Sequence, residues 1–92
     1  MIHFIVHEAD DTVGVMTVDG KKGQSLTGWN MTTDKTIRTK AAQDIPLGHK
    51  IALVDIPKGQ PVIKYGESIG VATKAIKKGQ HVHTHNLKTA RW

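Results

Sequence analysis

Short runs of apolar and β-branched residues recur along the chain, separated by turn-forming residues roughly every ten positions. The first two runs are Ile2–Val6 and Val13–Val18, and a strand pair follows at Val62–Gly66 and Ile69–Ala72. Val, Ile and Thr, which favour extended backbone, dominate these runs. The pattern predicts a mostly β protein whose short strands are joined by Gly- and Pro-containing turns.

One frame occurs three times in the second half of the chain. Each copy has an Ile, two residues, a Gly, two residues and a β-branched aliphatic residue, and the copies are Ile45–Ile51, Ile56–Val62 and Ile76–Val82. Proline at the second position of a turn and glycine at the fourth predict a type I turn. The Ile and the aliphatic residue at the two ends of each frame are predicted to bury against one core.

Sustained helical periodicity is absent from the sequence. Ser68–Lys78 is the best helix candidate, although Gly70 and the Val, Ile and Thr content weaken it. Asp34–Asp44 is a second candidate for a short helix. Leu26–Met31 has no clear period, and Thr32–Lys40 is predicted to be a turn that enters a short strand. We therefore expect a compact barrel or clip with at most one short helix.

Composition narrows the class of protein. Ninety-two residues predict a single domain over 1–92, and the 38% hydrophobic content with four aromatic residues predicts an aliphatic core. The net charge of +5 suits an anionic partner. Because few aromatic side chains are available to stack bases and no nucleic-acid motif occurs, we expect a small anion or an acidic protein surface, not nucleic acid.

The redox and targeting signals are simple. The chain has no cysteine, which excludes disulfides, iron–sulfur clusters and a thiol nucleophile within it. Met1–His7 lacks the basic start and long apolar run of a signal peptide. No apolar stretch approaches the ~20 residues that span a bilayer. We therefore expect a soluble, cytoplasmic protein that does not enter a membrane.

Three histidines, His81, His83 and His85, occupy alternate positions after a Gly-containing turn. On one extended strand they would share a face, with neighbours about 6.6 Å apart and the outer pair about 13 Å apart. We therefore predict that at most an adjacent pair binds one metal ion, unless the chain bends at Thr84. The remaining histidine would bind substrate or move protons, and the alternative is a solvated polar strand. Further ligands would come from a partner chain or from His3, His7 or His49.

Two shorter segments also place cationic groups near turns. Gly48-His49-Lys50 combines an imidazole and an ammonium that can grip a carboxylate or sulfonate, and the alternative is a solvated lysine beside a turn histidine. Lys64 or Tyr65 can act as acid or base when its pKa is lowered, and the alternative is a strand edge. Because no known nucleophile, phosphate-loop or paired-carboxylate motif occurs, we expect a small β domain that presents histidines and lysines to an anion, against a partner.

Four blocks of the chain together resemble one family. Ile45–Leu53, Val62–Gly66, Ile69–Gly70 and Gly79–Asn86 are similar to the SAF domain of the altronate/galactarate dehydratase family, which has the β-clip fold. In that family the domain is either fused to a large catalytic domain or forms a separate small subunit, and this chain resembles the separate form. The segments around His7-Glu8, Thr12–Val15, Leu26–Met31 and Asn86–Trp92 are most similar to the small (alpha) subunits of sulfolactate sulfo-lyases.

The resemblance implies a carbon–sulfur lyase that is active with a large (beta) subunit, as a hetero-oligomer. It implies cleavage of (2R)-3-sulfolactate to pyruvate and bisulfite, with iron (Fe²⁺) or another divalent metal held mainly with the large subunit. His81, His83 and His85 would contribute to catalysis, with His83 and His85 as metal ligands. The substrate-binding candidates are His49, Lys50 and Lys64. The alternatives are the small subunit of a sugar-acid dehydratase and a non-catalytic module that binds a metal or a partner.

Overall fold

The computed structural model describes residues 1–89, which form nine β-strands and no helix. The strands are β1 (Phe4–Val6), β2 (Val13–Met16), β3 (Ser25–Asn30), β4 (Lys35–Lys40), β5 (Lys50–Ala52), β6 (Pro61–Lys64), β7 (Glu67–Ala72), β8 (His81–Val82) and β9 (Leu87–Thr89). A six-stranded sheet has the order β4-β3-β1-β2-β5-β8, and a three-stranded sheet has the order β6-β7-β9. The mostly β prediction is confirmed. Residues 1–89 contain no helix long and apolar enough to cross a bilayer.

The first core packs against the larger sheet around Phe4, which is fully buried. Its ring lies over Gly14 and Gly28, where a β-carbon would overlap it, so two strands approach the ring closely because they lack side chains there. The alternation of buried and less buried residues along β3 directs Leu26 inward. The members of this core are Phe4, Val6, Met16, Leu26, Ala41, Ile45, Ile51 and Leu53.

A second core contains side chains from both sheets. Its members are Val13, Ala52, Ile56, Val62, Ala72, Ile76 and Val82. All six end residues of the three repeated frames are buried, as predicted. The prediction of one shared core is wrong, because the first frame contributes to the first core and the other two frames to the second. The backbone pairing of the frames matches this division. Ile45 forms a β-bridge with Gly20, whereas Ile56 and Ile76, from the other two frames, form a β-bridge with each other.

The repeated frames contain tight turns in which glycine is the third residue, not the fourth. In the first frame the His49 N–H donates to the Pro46 carbonyl at 3.0 Å, and the other two frames have the equivalent bond. The glycines Gly48, Gly59 and Gly79 have φ angles of +84°, +86° and +87°. The predicted type I turn is therefore wrong, since a positive φ at the third position defines a type II turn, which favours glycine there.

A fourth turn of the same kind lies earlier in the chain. The Gln24 N–H donates to the Lys21 carbonyl at 2.9 Å, and Gly23 has a φ of +85°. Its sequence, Lys21-Lys22-Gly23-Gln24, repeats Lys77-Lys78-Gly79-Gln80. We number the turns in chain order by their glycines, so that turns 1, 2, 3 and 4 contain Gly23, Gly48, Gly59 and Gly79.

Aspartates join the turns in pairs, turn 1 with turn 2 and turn 3 with turn 4. Each carboxylate precedes its own turn and accepts a bond of 2.8 Å from a backbone N–H in the paired turn. The three bonds are Leu47 N–H to Asp19, Lys22 N–H to Asp44 and Lys78 N–H to Asp55. The fourth equivalent position, before turn 4, holds Ala75, which has no carboxylate.

Both helix predictions are wrong. Most of the first half of Ser68–Lys78 lies in β7, and the rest enters turn 4. Gly70 has a φ of +154°, and a β-carbon there would overlap the Lys88 carbonyl oxygen, so the backbone of β9 packs directly on it. Asp34–Asp44 contains β4, which pairs in continuous register with β3. That partner strand includes most of the segment Leu26–Met31 that had no clear period.

Candidate functional site

The candidate site lies where turns 2 and 4 lead into neighbouring strands. β5 follows turn 2, β8 follows turn 4, and the two strands pair antiparallel with Ile51 opposite His81. This pairing places Nδ1 of His49 2.8 Å from Nε2 of His81, so one ring donates a hydrogen bond to the other. His49 therefore joins the histidine row, as the sequence allowed.

The row itself does not lie on one strand. β8 ends at Val82, and the chain then turns through residues 83–86. The buried side chain of Asn86 fixes this turn, because it accepts from the His83 N–H at 3.0 Å and donates to the His81 carbonyl at 2.8 Å. The bend at Thr84, which the sequence left open, is therefore present. The ring centroids of His81 and His85 lie 5.0 Å apart, whereas the backbone positions of two such residues on an extended strand would be about 13 Å apart.

Three half-buried histidines have the donor chemistry of a metal site. His49 and His83 stack with ring centroids 4.1 Å apart, and one nitrogen from each of His49, His81 and His83 lies within 4.8 Å of the others. Ligands that bind an ion at 2.0–2.1 Å lie about 3 Å from one another, so small side-chain adjustments would close this set. The geometry groups His49, not His85, with His81 and His83. The predicted metal pair of His83 and His85 stays a prediction.

Burial and neighbouring basic groups lower the pKa of two of these imidazoles, His81 and His83. The pKa of His81 lies below its ordinary value of 6.5, mainly because of burial and then because of His85, His49 and His83. The pKa of His83 is lowered by burial first and then by His49, Lys50 and His85. A neutral imidazole has a free lone pair, which a metal ligand or proton acceptor requires.

A cleft of about 500 Å³ reaches turn 2, where Gly48 lines it. Lys50 and Lys64, both predicted to bind substrate, line the cleft together with Tyr65. Burial lowers the pKa of Lys50 below 10.5, Lys64 lowers it further, and Tyr65 acts in the opposite direction. Since Lys50 also lowers the pKa of His83, it links the cleft to the histidine cluster. The structure therefore brings the predicted substrate-binding residues His49, Lys50 and Lys64 into one region.

The other two histidines that the sequence offered as ligands have different surroundings. Nδ1 of His3 accepts a hydrogen bond from the Thr27 N–H at 2.9 Å, which joins β1 to β3. His7 packs on the ring of Tyr65, with centroids 4.2 Å apart, and lines the cleft. Neither belongs to the group of three close imidazoles.

Sequence reasoning missed Asp11, which organises one wall of the cleft. Its buried carboxylate accepts from the Gly66 N–H at 2.8 Å, the Tyr65 N–H at 3.1 Å and the Glu8 N–H at 3.2 Å. These bonds join the β1–β2 loop to the β6–β7 hairpin. An aspartate in a predicted loop indicated only a local turn, and no local pattern reports a bond to residues more than fifty positions away.

The fold and site correspond to a known class of domain. The family model of the altronate/galactarate dehydratase SAF domain matches residues 2–90, and the chain belongs to this family. The family resemblance seen in the sequence is thereby confirmed.

Individual relatives are of two kinds. The (2R)-sulfolactate sulfo-lyase subunit alpha of Chromohalobacter salexigens is 49% identical over 92 residues, which cover 99% of this chain and 98% of the relative. The protein of the same name from Paracoccus pantotrophus is 49% identical over 63 residues, covering 67% and 94%. The altronate dehydratase of Escherichia coli is 43% identical over 88 residues, which cover 96% of this chain but 17% of that enzyme.

Proposed function

We propose that this chain is the small (alpha) subunit of a two-subunit carbon–sulfur lyase that cleaves (2R)-3-sulfolactate to pyruvate and bisulfite. The observation that carries the proposal is its 49% identity with a sulfolactate sulfo-lyase alpha subunit along almost the whole length of both chains. A large beta subunit, in a cytoplasmic hetero-oligomer, would supply the rest of the active site.

The histidine cluster is the proposed metal-binding part of this half-site. His49, His81 and His83 present three nitrogens close enough to hold one divalent ion, with further ligands from the large subunit. Imidazole ligands suit iron, which we propose, and also zinc, copper and nickel. When bound, the metal would act as a Lewis acid on the substrate's 2-hydroxyl and carboxylate and so acidify the proton at C2.

The other side chains have proposed roles in proton transfer and charge stabilisation. His85, which is exposed beside His81, would take the proton from C2 or pass it on. The electron pair of the broken C–H bond forms the C2–C3 double bond, and the C3–S bond breaks so that sulfite leaves with its electron pair. The resulting enol becomes pyruvate. Lys50 and Lys64 would stabilise the negative charge on the departing sulfite.

The test is co-expression of the chain with its large subunit, followed by assay of the metal-loaded complex. We expect sulfite and pyruvate in equal amounts from sulfolactate, and no turnover by the small subunit alone. His83→Ala should abolish turnover and leave complex formation intact, whereas Lys58→Ala, on exposed turn 3, should change neither. A metal-loaded complex that releases no sulfite would refute the proposal.

A second candidate is the small subunit of a sugar-acid dehydratase. It is favoured by the 43% identity with an altronate dehydratase, in which the matching domain is part of a longer enzyme. The proton transfer would be the same, but water would leave in place of sulfite. Dehydration of altronate or galactarate by the same complex, without sulfite release from sulfolactate, would select this function.

A further inference from the structure

Tyr65 stands where the backbone favours a different residue. Tyr65 and Gly66 form the two-residue turn between β6 and β7, with Lys64 opposite Glu67, and their φ angles are +57° and +73°. Two positive φ angles define a type I′ turn, whose first residue is preferably Asn, Asp or Gly. A bulky aromatic residue is strained in this conformation. The turn alone therefore does not explain a tyrosine here.

The side chain of Tyr65 is not buried either, since 56% of its surface is exposed. Its ring instead contacts two groups at the cleft. The Lys64 ammonium lies 3.6 Å above the ring centroid, in cation–π contact, and the His7 ring packs beside it at 4.2 Å. The hydrogen bonds from the Tyr65 and Gly66 N–H groups to Asp11 hold the strained turn in place. The ring thus fixes the position of the Lys64 ammonium.

The cleft has the electrostatics of an anion site. Lys50 and Lys64 line it, and none of its described lining residues is acidic. The two ammonium groups interact unfavourably, as the lowered pKa of the half-buried Lys50 reflects after the effect of burial. A bound anion relieves this repulsion and accepts charge-assisted hydrogen bonds from both. A sulfonate, with three oxygens around one sulfur, offers enough acceptors for two lysines.

We propose that this cleft binds the sulfonate group of the substrate, and that Tyr65 is a positioning residue that holds Lys64 for this contact. The identity of the anion rests on the proposed function. With the hydroxy-acid end of the substrate at the histidine cluster, Lys50, which follows His49 and lines the cleft, would lie near both ends of the substrate. A sugar acid presents a neutral hydroxyl at the same carbon, so the cleft would favour the sulfonate.

The first test is kinetic and uses the two-subunit complex with sulfolactate. Tyr65→Asn relieves the backbone strain, so its thermal midpoint should equal or exceed that of the wild type. Its KM should nevertheless rise roughly tenfold, the effect of weakening one charge-assisted contact, with a smaller change in kcat. Lys64→Met should raise KM similarly, and Tyr65→Phe should raise it less than Tyr65→Asn because the aromatic face remains. Lys58→Met, which removes the same charge from an exposed turn, should leave KM unchanged.

A second test does not depend on turnover. Titration of the ¹⁵N-labelled chain with 2-hydroxyethanesulfonate should shift the amide signals of Gly48, Tyr65 and Gly66, and Lys64→Met should weaken this response. If the complex does not cleave sulfolactate, the proposed function fails, and the titration alone tests whether the cleft binds a sulfonate. The absence of a shift at these amides would then overturn the proposed sulfonate site. If the complex is active, an unchanged KM in Tyr65→Asn and Lys64→Met overturns it. Weaker binding of the large subunit with an unchanged KM also overturns it, since the cleft would then hold an acidic side chain of that subunit.

Discussion

Turns 2 and 4 lead into the candidate site, whereas turns 1 and 3 have the same backbone and contribute nothing to it. All four glycines have φ angles between +84° and +87°, and all four turns are closed by the same backbone hydrogen bond. The residues after the glycine differ. The two residues after the glycine are His49-Lys50 in turn 2 and Gln80-His81 in turn 4. They are Gln24-Ser25 in turn 1 and Gln60-Pro61 in turn 3.

The pairing of the following strands explains which turns meet. β5 and β8, which follow turns 2 and 4, are neighbours in the larger sheet. β3 and β6, which follow turns 1 and 3, belong to different sheets. The turn therefore sets only the backbone geometry. The two residues after the glycine contribute to the candidate site only where the strands that follow two turns pair with each other.

The largest change in stability should come from substitution of a turn glycine. Gly79 and Gly59 have nearly the same φ angle but different surroundings. A β-carbon on Gly79 would overlap the Lys40 carbonyl oxygen, whereas one on Gly59 has no described atom within 4 Å. Gly79→Ala should therefore cost about 3 kcal/mol or more of unfolding free energy. Gly59→Ala should cost only the conformational penalty of about 1–2 kcal/mol. Urea unfolding measures both, and equal losses would show that φ alone sets the cost.

Exchange of residues between turns should separate effects on folding from effects on activity. His49→Gln places at turn 2 the residue that follows the glycine in the other three turns. We expect an unfolding free energy within about 0.5 kcal/mol of the wild type, but a loss of at least ~10²-fold in sulfite release by the complex. The matched control is Gln60→His at turn 3, which should change neither quantity. Normal turnover in His49→Gln would remove this histidine from the site.

The missing carboxylate before turn 4 offers a smaller, stabilising change. Ala75→Asp should accept a hydrogen bond from the Lys58 N–H, as Asp44 does from the Lys22 N–H in the other pair of turns. We expect a gain of about 0.5–1.5 kcal/mol, measured by thermal or urea unfolding. Asp44→Ala should cost a similar amount. A destabilised Ala75→Asp would show that the two pairs of turns are not equivalent.

Acidity should lower the stability of the folded chain through His81 and His83. Because the folded-state pKa values of His81 and His83 lie below the ordinary 6.5, the unfolded chain binds protons more readily. The stability of the metal-free chain should therefore fall as the pH decreases below about 6.5. Urea midpoints in the presence of a chelator at pH 7.5 and 5.5 test this, and His83→Gln should flatten the dependence. Stability that rises as the pH falls would contradict the shifts.

The features predicted best were local in the sequence. Each repeated frame contains its own turn glycine and its own two buried ends, so burial of Ile45 and Val82 followed from spacing alone. Lys21–Gln24 was predicted to be a turn but not a further copy of the frame, because Gly20 stands where the other frames have Ile. The available signal was the exact repetition of Lys-Lys-Gly-Gln at 21–24 and 77–80.

The features predicted worst depended on contacts between distant segments. His49 reaches His81 only because β5 and β8 pair, and a sequence does not state which of nine short strands are neighbours. Whether the histidine row is straight or bent at Thr84 stayed open in the sequence, because the bend depends on one buried side chain, Asn86, which turns the chain back after Val82. The family resemblance predicted residues for the site but not how they are arranged.

The strand β5 contributes side chains to the cleft and to both cores. Lys50 lines the cleft, Ile51 packs in the first core, and its neighbour Ala52 packs in the second. The boundary between the two cores therefore runs through a strand of three residues and not through a flexible connection. A cut within β5 would therefore not yield two fragments that each keep a complete core. Heat should remove both cores and the histidine cluster in one step, so that the chain presents either the complete cluster or none of it.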